Sequence, residues 1–293
     1  MSSTRWAVSL PGKAGDILWA MPTVRAISKM LGQPLDVYLP AEFKRLAGLL
    51  RAQPYVEAVY AVAQEQWPIE MTGPIQPWAM PGAGKEVFHL GHTEWPETIL
   101  PFQYLLNFER RYGPEFETLS LKGFMDPWIE VPEDLGDFAC PSCEGHADFN
   151  SPDTIFFGCN QDWIELKMGV LVALLASTNS MTYYQLVDMP GGRHKEFADI
   201  LCISDEAWFD SGSWLETAHL MKHCGYYVGG LAAQWVLACA MGIPCIVFDP
   251  AEGRHHPIFW WDGDGRNKKV LGGDGKPTWD ARAVVEAVKQ RGR

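Results

Sequence analysis

Four small groups of residues in this 293-residue chain are of types that do chemistry. The first is the loop Pro11-Gly12-Lys13-Ala14-Gly15-Asp16, which ends on a carboxylate where a helix is due to begin. A carboxylate there is either a general base or an N-terminal helix cap. The second is Gly229-Gly230, between a short apolar run and a helix. Paired glycines let a ligand approach the backbone closely. The free N–H groups and positive dipole end of the helix then face that ligand, and phosphate or diphosphate is the usual occupant. A plain tight turn would use the same two glycines. The third group is His89 and His92, three apart across a strand end, suited to line a crevice rather than to hold a metal; His255 and His256 are of the same kind. The fourth is Cys140, Cys143 and His146, a C-x-x-C-x-x-H run. Its first spacing suits zinc, but no second C-x-x-C follows, so a linker loop is expected and no metal site is assigned.

Several chemistries are excluded by pattern. No G-x-S-x-G elbow is present. The G-x-G-x-x-G fingerprint of dinucleotide enzymes is missing from the first turn. Neither Lys13 nor Gly84-Lys85 completes a P-loop, which needs glycine where Ala79 stands and Ser or Thr where Glu86 stands.

The elements that must position these groups follow from periodicity. Arg5 to Leu10 reads as a strand, and Ile17 to Leu31 as a helix with Ile17, Leu18, Met21, Val24, Ile27 and Leu31 at helical spacing. Pro22 falls in its second turn, where it disturbs the start of the helix. Leu35 to Leu39 is a strand, Ala41 to Gln53 a helix and Val56 to Val62 a third strand. Glu86 to Leu90 and Thr98 to Tyr112 are read as strand and helix, and residues 114–152 as an excursion plus linker. A second unit then begins: strand Thr154 to Phe157, helix Glu165 to Ala176, strand Tyr183 to Val187 and a short strand at Ile200 to Ile203. Ser213 opens a helix, with Glu216 completing a capping box. Strand Tyr226 to Val228, helix Leu231 to Met241, strand Cys245 to Phe248 and a closing helix Trp279 to Gln290 complete the chain. Alternating strands and helices predict an α/β fold of two doubly wound domains, residues 1–150 and 151–293, facing across a cleft. Ligands of such sheets bind beyond the carboxyl ends of the strands.

Composition narrows the partners. With 47% hydrophobic residues and no low-complexity tract the chain is globular. A net charge of −12 argues against an unspecific grip on nucleic acid, and leaves open a local basic groove from Lys13, Arg25, Arg193, Lys195 and Arg254. No apolar run reaches the roughly 20 residues needed to span a bilayer, and no signal peptide is read at the N-terminus. Seven cysteines, mostly in apolar runs, suit buried thiols in a cytoplasmic protein. Thirteen tryptophans is a high count. Trp67, Trp78, Trp95, Trp128, Trp260 and Trp261 sit beside Pro, Asp or Gly, where they either pack loops or line a cleft.

Two separated segments resemble glycosyltransferase family 9, the heptosyltransferases of lipopolysaccharide assembly. Gly15-Asp16-Ile17-Leu18 through Pro22, Val24 and Ile27 is similar, without a gap, to that family's first turn. Val228-Gly229, then Leu237, Ala238, Ala240, Met241, Gly242 and Pro244, is similar to its second signature. The resemblance implies the GT-B architecture and a metal-independent, inverting transfer from a nucleotide sugar, which is a co-substrate rather than a cofactor. It implies Asp16 as the catalytic base, with Lys13, Gly15, His89 and His92 on the acceptor side. Gly229, Gly230, Leu231, Ala232, Ala233, Asn160, Gln161, Trp163 and Glu216 fall on the donor side. There are departures. The family's D-[ST]-G is Leu231-Ala232-Ala233, its histidine is Val236, and Gln161 stands where a lysine is common, so a charge near the leaving diphosphate must come from Lys167, Arg193 or Lys195. The acceptor, whether glycan, lipid-linked or nucleobase, is not identified. A diverged, non-catalytic binding protein is the alternative, and a transferase acting on a modified nucleobase or nucleic acid the third reading.

Overall fold

A computed structural model describes residues 5–63, 85–91, 96–113, 122–133, 155–159, 164–177, 182–186, 208–209, 213–248, 260–271, 273, 275–276, 278 and 280–291. The chain divides into two units, Met1–Glu130 and Val131–Arg293.

The first unit runs β1 (Arg5–Ser9), α1 (Ala14–Leu31), β2 (Leu35–Pro40), a 3-10 turn (Ala41–Leu46), α2 (Ala47–Arg51), β3 (Val56–Val62), β4 (Lys85–His89) and α3 (Leu100–Tyr112). Its strands are all parallel, in the order β3-β2-β1-β4. The helix expected over Ala41 to Gln53 is split, because Phe43 leaves helical geometry at φ −102°, ψ 19°. Its inward leucines, Leu46, Leu49 and Leu50, are buried as the spacing requires.

Helix α1 begins three residues earlier than expected, so Pro22 lies in its middle. Proline has no N–H, and the carbonyl four residues back loses its helical partner. That carbonyl belongs to Leu18, and the buried indole of Trp128 donates to it at 3.0 Å. Trp128 comes from the run read as excursion plus linker. In the structure that run is part of the first unit as far as Glu130. The Arg25 guanidinium donates to the carbonyls of Gly123, Phe124 and Pro127 at 2.8 to 2.9 Å. The Tyr55 hydroxyl donates to the Trp128 carbonyl. The Gln53 amide pairs with both backbone groups of Glu130, at 2.8 and 3.0 Å. Composition hid this packing, since a short Pro- and Gly-rich segment has no period to read.

The second unit contains β5 (Ile155–Cys159), α4 (Ile164–Ser177), β6 (Thr182–Leu186), β7 (Trp208–Phe209), α5 (Trp214–Lys222), β8 (Tyr226–Gly229), α6 (Ala233–Ala240), β9 (Cys245–Val247), β10 (Lys268–Lys269) and α7 (Ala281–Arg291). All its strands are parallel, in the order β10-β9-β8-β5-β6-β7. Counted from β5, this is the 3-2-1-4-5-6 order of a doubly wound sheet. One face packs Ile155, Phe157, Tyr226, Val228, Ile246, Phe248 and Val270 against Val170, Leu171 and Leu174 of α4 and Val284, Val285 and Val288 of α7. Helix α6 starts at Ala233 rather than Leu231, because Ala232 is extended at φ −132°, ψ 178°. The strand expected at Ile200 to Ile203 lies outside the described residues. Neither β7 nor β10 was anticipated, since two residues carry no alternation.

Candidate functional site

In each unit the chain order reverses at one place in the sheet, and that is where a doubly wound fold takes its ligand. In the first unit this place lies between β1 and β4, whose last residues Ser9 and His89 are register partners. The turn after β1 needs Gly12, which sits at φ 109°, a conformation glycine adopts readily. Lys13 is exposed, and Gly15 is half-buried in the first turn of α1. Asp16 is half-buried, and its carboxylate accepts the Lys13 N–H at 3.0 Å. The carboxylate therefore caps the helix, and this contact does not by itself decide whether it also acts as a base. Burial raises the Tyr104 hydroxyl on α3 well above its ordinary range, and the charge of Asp16 adds to that push.

His89 is held on three sides. Its Nδ1 lies 2.7 Å from the buried Ser9 Oγ, its backbone N–H donates to the Tyr112 hydroxyl at 3.1 Å, and its carbonyl accepts from Arg111 at 3.4 Å. Burial, helped by the Arg111 charge, lowers its pKa to about 4, so the imidazole is neutral at physiological pH. The loop after β4 is tied to α3 at both ends. Asn107 donates to the Gly91 carbonyl, Gln103 accepts from the Glu97 N–H, and Arg110 forms a two-point pair with Glu97 at 3.0 Å. His92, within that loop, lies outside the described residues.

In the second unit the order reverses between β5 and β8, where Gly158 and Gly229 are register partners. The space beside both glycines is taken by Tyr227. A Cβ on Gly229 would lie 2.3 Å from the Tyr227 hydroxyl and 2.7 Å from the Gly158 carbonyl, and a Cβ on Gly158 would lie 2.3 Å from the same ring. The Tyr227 hydroxyl donates to the Gly230 carbonyl at 2.9 Å. The expectation that Gly229 leaves room for a ligand is therefore corrected: its missing side chain accommodates a tyrosine. Beyond Gly230 the turn is more open. Leu231, Ala232 and Ala233 are half-buried, and no side chain among the described residues caps the N-terminus of α6. Such an end keeps backbone N–H groups without helical partners.

Glu216 fulfils the capping box read from sequence. Its carboxylate accepts the Ser213 N–H at 3.0 Å, and its own N–H donates to Ser213 Oγ at 3.3 Å. Asn160, Gln161 and Trp163 lie outside the described residues, as do Arg193, Lys195, Arg254, His255, His256 and the Cys140-Cys143-His146 run; of Lys167 only the backbone is described. Arg25, offered as part of a basic groove, is instead spent on the carbonyls of residues 123–127.

Sequence reasoning passed over three features. Tyr227 was read only as part of a strand, although a tyrosine two residues before a glycine shares its face. His219 and His223, spaced i, i+4, pack their rings edge to face at 4.9 Å. The described residues contain no group of three ligands that could hold a metal ion. Lys269 places Nζ 4.4 Å from the Trp260 ring centroid, and Trp260 stacks on Trp235 of α6 at 5.8 Å. No helix among the described residues is long and apolar enough to cross a membrane.

No protein-family model and no curated protein matches the chain by sequence. Solved structures do match by fold. A glycosyl transferase family 9 protein from Veillonella parvula aligns with a TM-score of 0.60 at 11% identity, over 98% of this chain and 95% of its own. The E. coli heptosyltransferase WaaC, solved with ADP, aligns with a TM-score of 0.59 at 14% identity, over 99% and 98%. The iron-containing dodecameric glycosyltransferase TibC from enterotoxigenic E. coli aligns with a TM-score of 0.52 at 12% identity, over 98% and 76%. The chain has two Rossmann-like parallel-sheet units of the GT-B kind, in the fold of the family 9 glycosyltransferases and heptosyltransferases.

Proposed function

We propose that the protein is a nucleotide-sugar-dependent glycosyltransferase. The observation that carries this reading is the near-complete fold match to a family 9 protein and to a heptosyltransferase solved with ADP. Residues at the point of chain reversal in each unit support the reading. In the first unit Asp16 takes the proton of the acceptor hydroxyl as that oxygen attacks the anomeric carbon. The neutral imidazole of His89, the exposed Lys13 and Gly15, in the first turn of α1, serve the acceptor side. In the second unit the Ala232 N–H donates to the Gly230 carbonyl at 3.0 Å, and the other N–H groups around Gly230 to Ala233, with the start of α6, steady the departing diphosphate. The sugar–phosphate bond breaks, the sugar passes to the acceptor oxygen with inversion, and the nucleoside diphosphate leaves. The charge is neutralised without a metal ion, so transfer continues in a chelator.

The test is incubation of the full chain with ADP- and UDP-sugars, following release of nucleoside diphosphate, beside a thermal-shift screen with the same panel. A ligand at 100 times its dissociation constant raises stability by about 2.7 kcal/mol. Release that disappears in Asp16→Ala, with donor binding intact, is the expected result. Release unchanged in that variant removes Asp16 from the mechanism.

One observation favours a second reading, a diverged relative that binds without catalysis. Tyr227 fills the space beside Gly158 and Gly229, and the residues after Gly230 are apolar. Under that reading nucleotides bind and no donor is ever consumed.

A further inference from the structure

The sequence resemblance leaves the donor side short of a cation, and the described residues supply one that no motif marks. Across the second sheet, register places Gly158 beside Gly229, Gly229 beside Val247, and Val247 beside Lys269. These residues lie at the carboxyl ends of β5, β8, β9 and β10, the edge from which a doubly wound sheet binds ligands. Alternation assigns their face. Val228, Ile246 and Val270 point into the core under α4 and α7, so Tyr227, Gly229, Val247 and Lys269 share the opposite face. Helix α6 is on that side, because Lys269 lies over Trp260 and Trp260 stacks on Trp235, the third residue of α6, with 10° between the ring planes.

Lys269 is therefore linked through Trp260 to the third residue of α6, the helix that the Gly230 to Ala233 turn opens. Its ammonium rests on an aromatic face, which orients a cation without neutralising it. No carboxylate among the described residues pairs with it, in a chain of net charge −12. Desolvation lowers its pKa. A half-buried lysine at the carboxyl edge of a doubly wound sheet, with no counter-ion among the described residues, calls for an anion.

Resting on the transferase reading above, we propose that Lys269, seated on the Trp260–Trp235 pair, contacts the diphosphate of the nucleotide donor. It takes the place of the cation that Gln161 does not provide.

The test is calorimetric titration of the full chain with ADP and with adenosine. Lys269→Met keeps an apolar stem over the indole and removes the charge, so it separates charge from packing. The expected result is a loss of tenfold or more in ADP affinity, with adenosine affinity unchanged. Lys269→Arg retains ADP binding, and so does Lys268→Gln, on the other face of the same strand. Should Lys269→Met fail to fold, Lys269→Gln with its thermal midpoint recorded serves in its place. Unchanged ADP affinity overturns the proposal. Equal losses for ADP and adenosine also overturn it, since they mean that Lys269 only packs the site. A wild-type protein that binds neither ADP nor UDP fails the donor reading itself, a result separate from any effect of the variants.

Discussion

Helix α1 carries Asp16 and contains Pro22, and the bond from Trp128 to Leu18 explains how it does both. Trp128→Phe removes the indole N–H and leaves the Leu18 carbonyl without that donor in the core. An unsatisfied buried carbonyl costs about 1–3 kcal/mol, and the volume lost from a residue only 1% exposed adds about 1–2 kcal/mol. Pro22→Ala restores an N–H four residues after Leu18, which donates to the same carbonyl in ordinary helical geometry. By itself that change moves stability within about 1 kcal/mol, because it removes the proline constraint on the unfolded chain. In the Pro22→Ala background, Trp128→Phe should therefore cost only the volume. The double-mutant cycle should show a coupling of about 1–3 kcal/mol. Urea denaturation of the four proteins measures it, provided the m-value is unchanged across the set. A coupling below about 0.5 kcal/mol would mean that the two residues act independently and that the indole does not replace the lost helical bond.

Three further outcomes are expected. His89 is neutral in the folded state, with a pKa lowered to about 4, against an ordinary value of 6.5. As pH falls below that ordinary value the unfolded chain binds the proton first, so stability is lost between about pH 6.5 and 4. The shift corresponds to about 3 kcal/mol, and to about 2 kcal/mol once the partial exposure of the ring is allowed for. His89→Gln should lose that much less on going from pH 7 to 4 in denaturant titrations, and an equal loss refutes the assignment. Gly229→Ala should cost about 1–3 kcal/mol, because the added methyl meets the Tyr227 ring and the Gly158 carbonyl together. Tyr227→Phe should not rescue it, since the ring carbon at 2.6 Å and the carbonyl at 2.7 Å remain; a rescued thermal midpoint would contradict the packing described. Asp16→Asn keeps an acceptor for the Lys13 N–H, so its stability should change by less than about 1 kcal/mol. Donor turnover should still fall by about 10²–10⁴-fold, and a variant with full turnover would leave Asp16 as a cap alone.

Much of the architecture was legible because its signals are local. Side-chain period gave most of the helices and strands within a few residues, and the Ser213–Glu216 capping box was read correctly because both partners lie in one turn. The boundaries that moved did so for backbone reasons: Ala232 stays extended and delays α6, while Asp16 bonds Lys13 and brings α1 forward. The two turns were legible, and the space around them less so. Gly229 stands where the turn was read, but what its missing side chain makes room for depended on where the Tyr227 ring goes.

The sequence by itself determined most of the strands and helices in their order, the two α/β units and the two turns at Asp16 and Gly229, since each of these is written within a few residues of chain. Only the tertiary structure decided which strands lie side by side: β1 with β4, β5 with β8, and β9 with an unanticipated β10. Those pairings join residues far apart in the chain, and no local period encodes them. They set Ser9 against His89, and they bring Lys269 to the carboxyl edge of the second sheet. Long-range packing likewise gives Trp128 to the carbonyl that Pro22 strands.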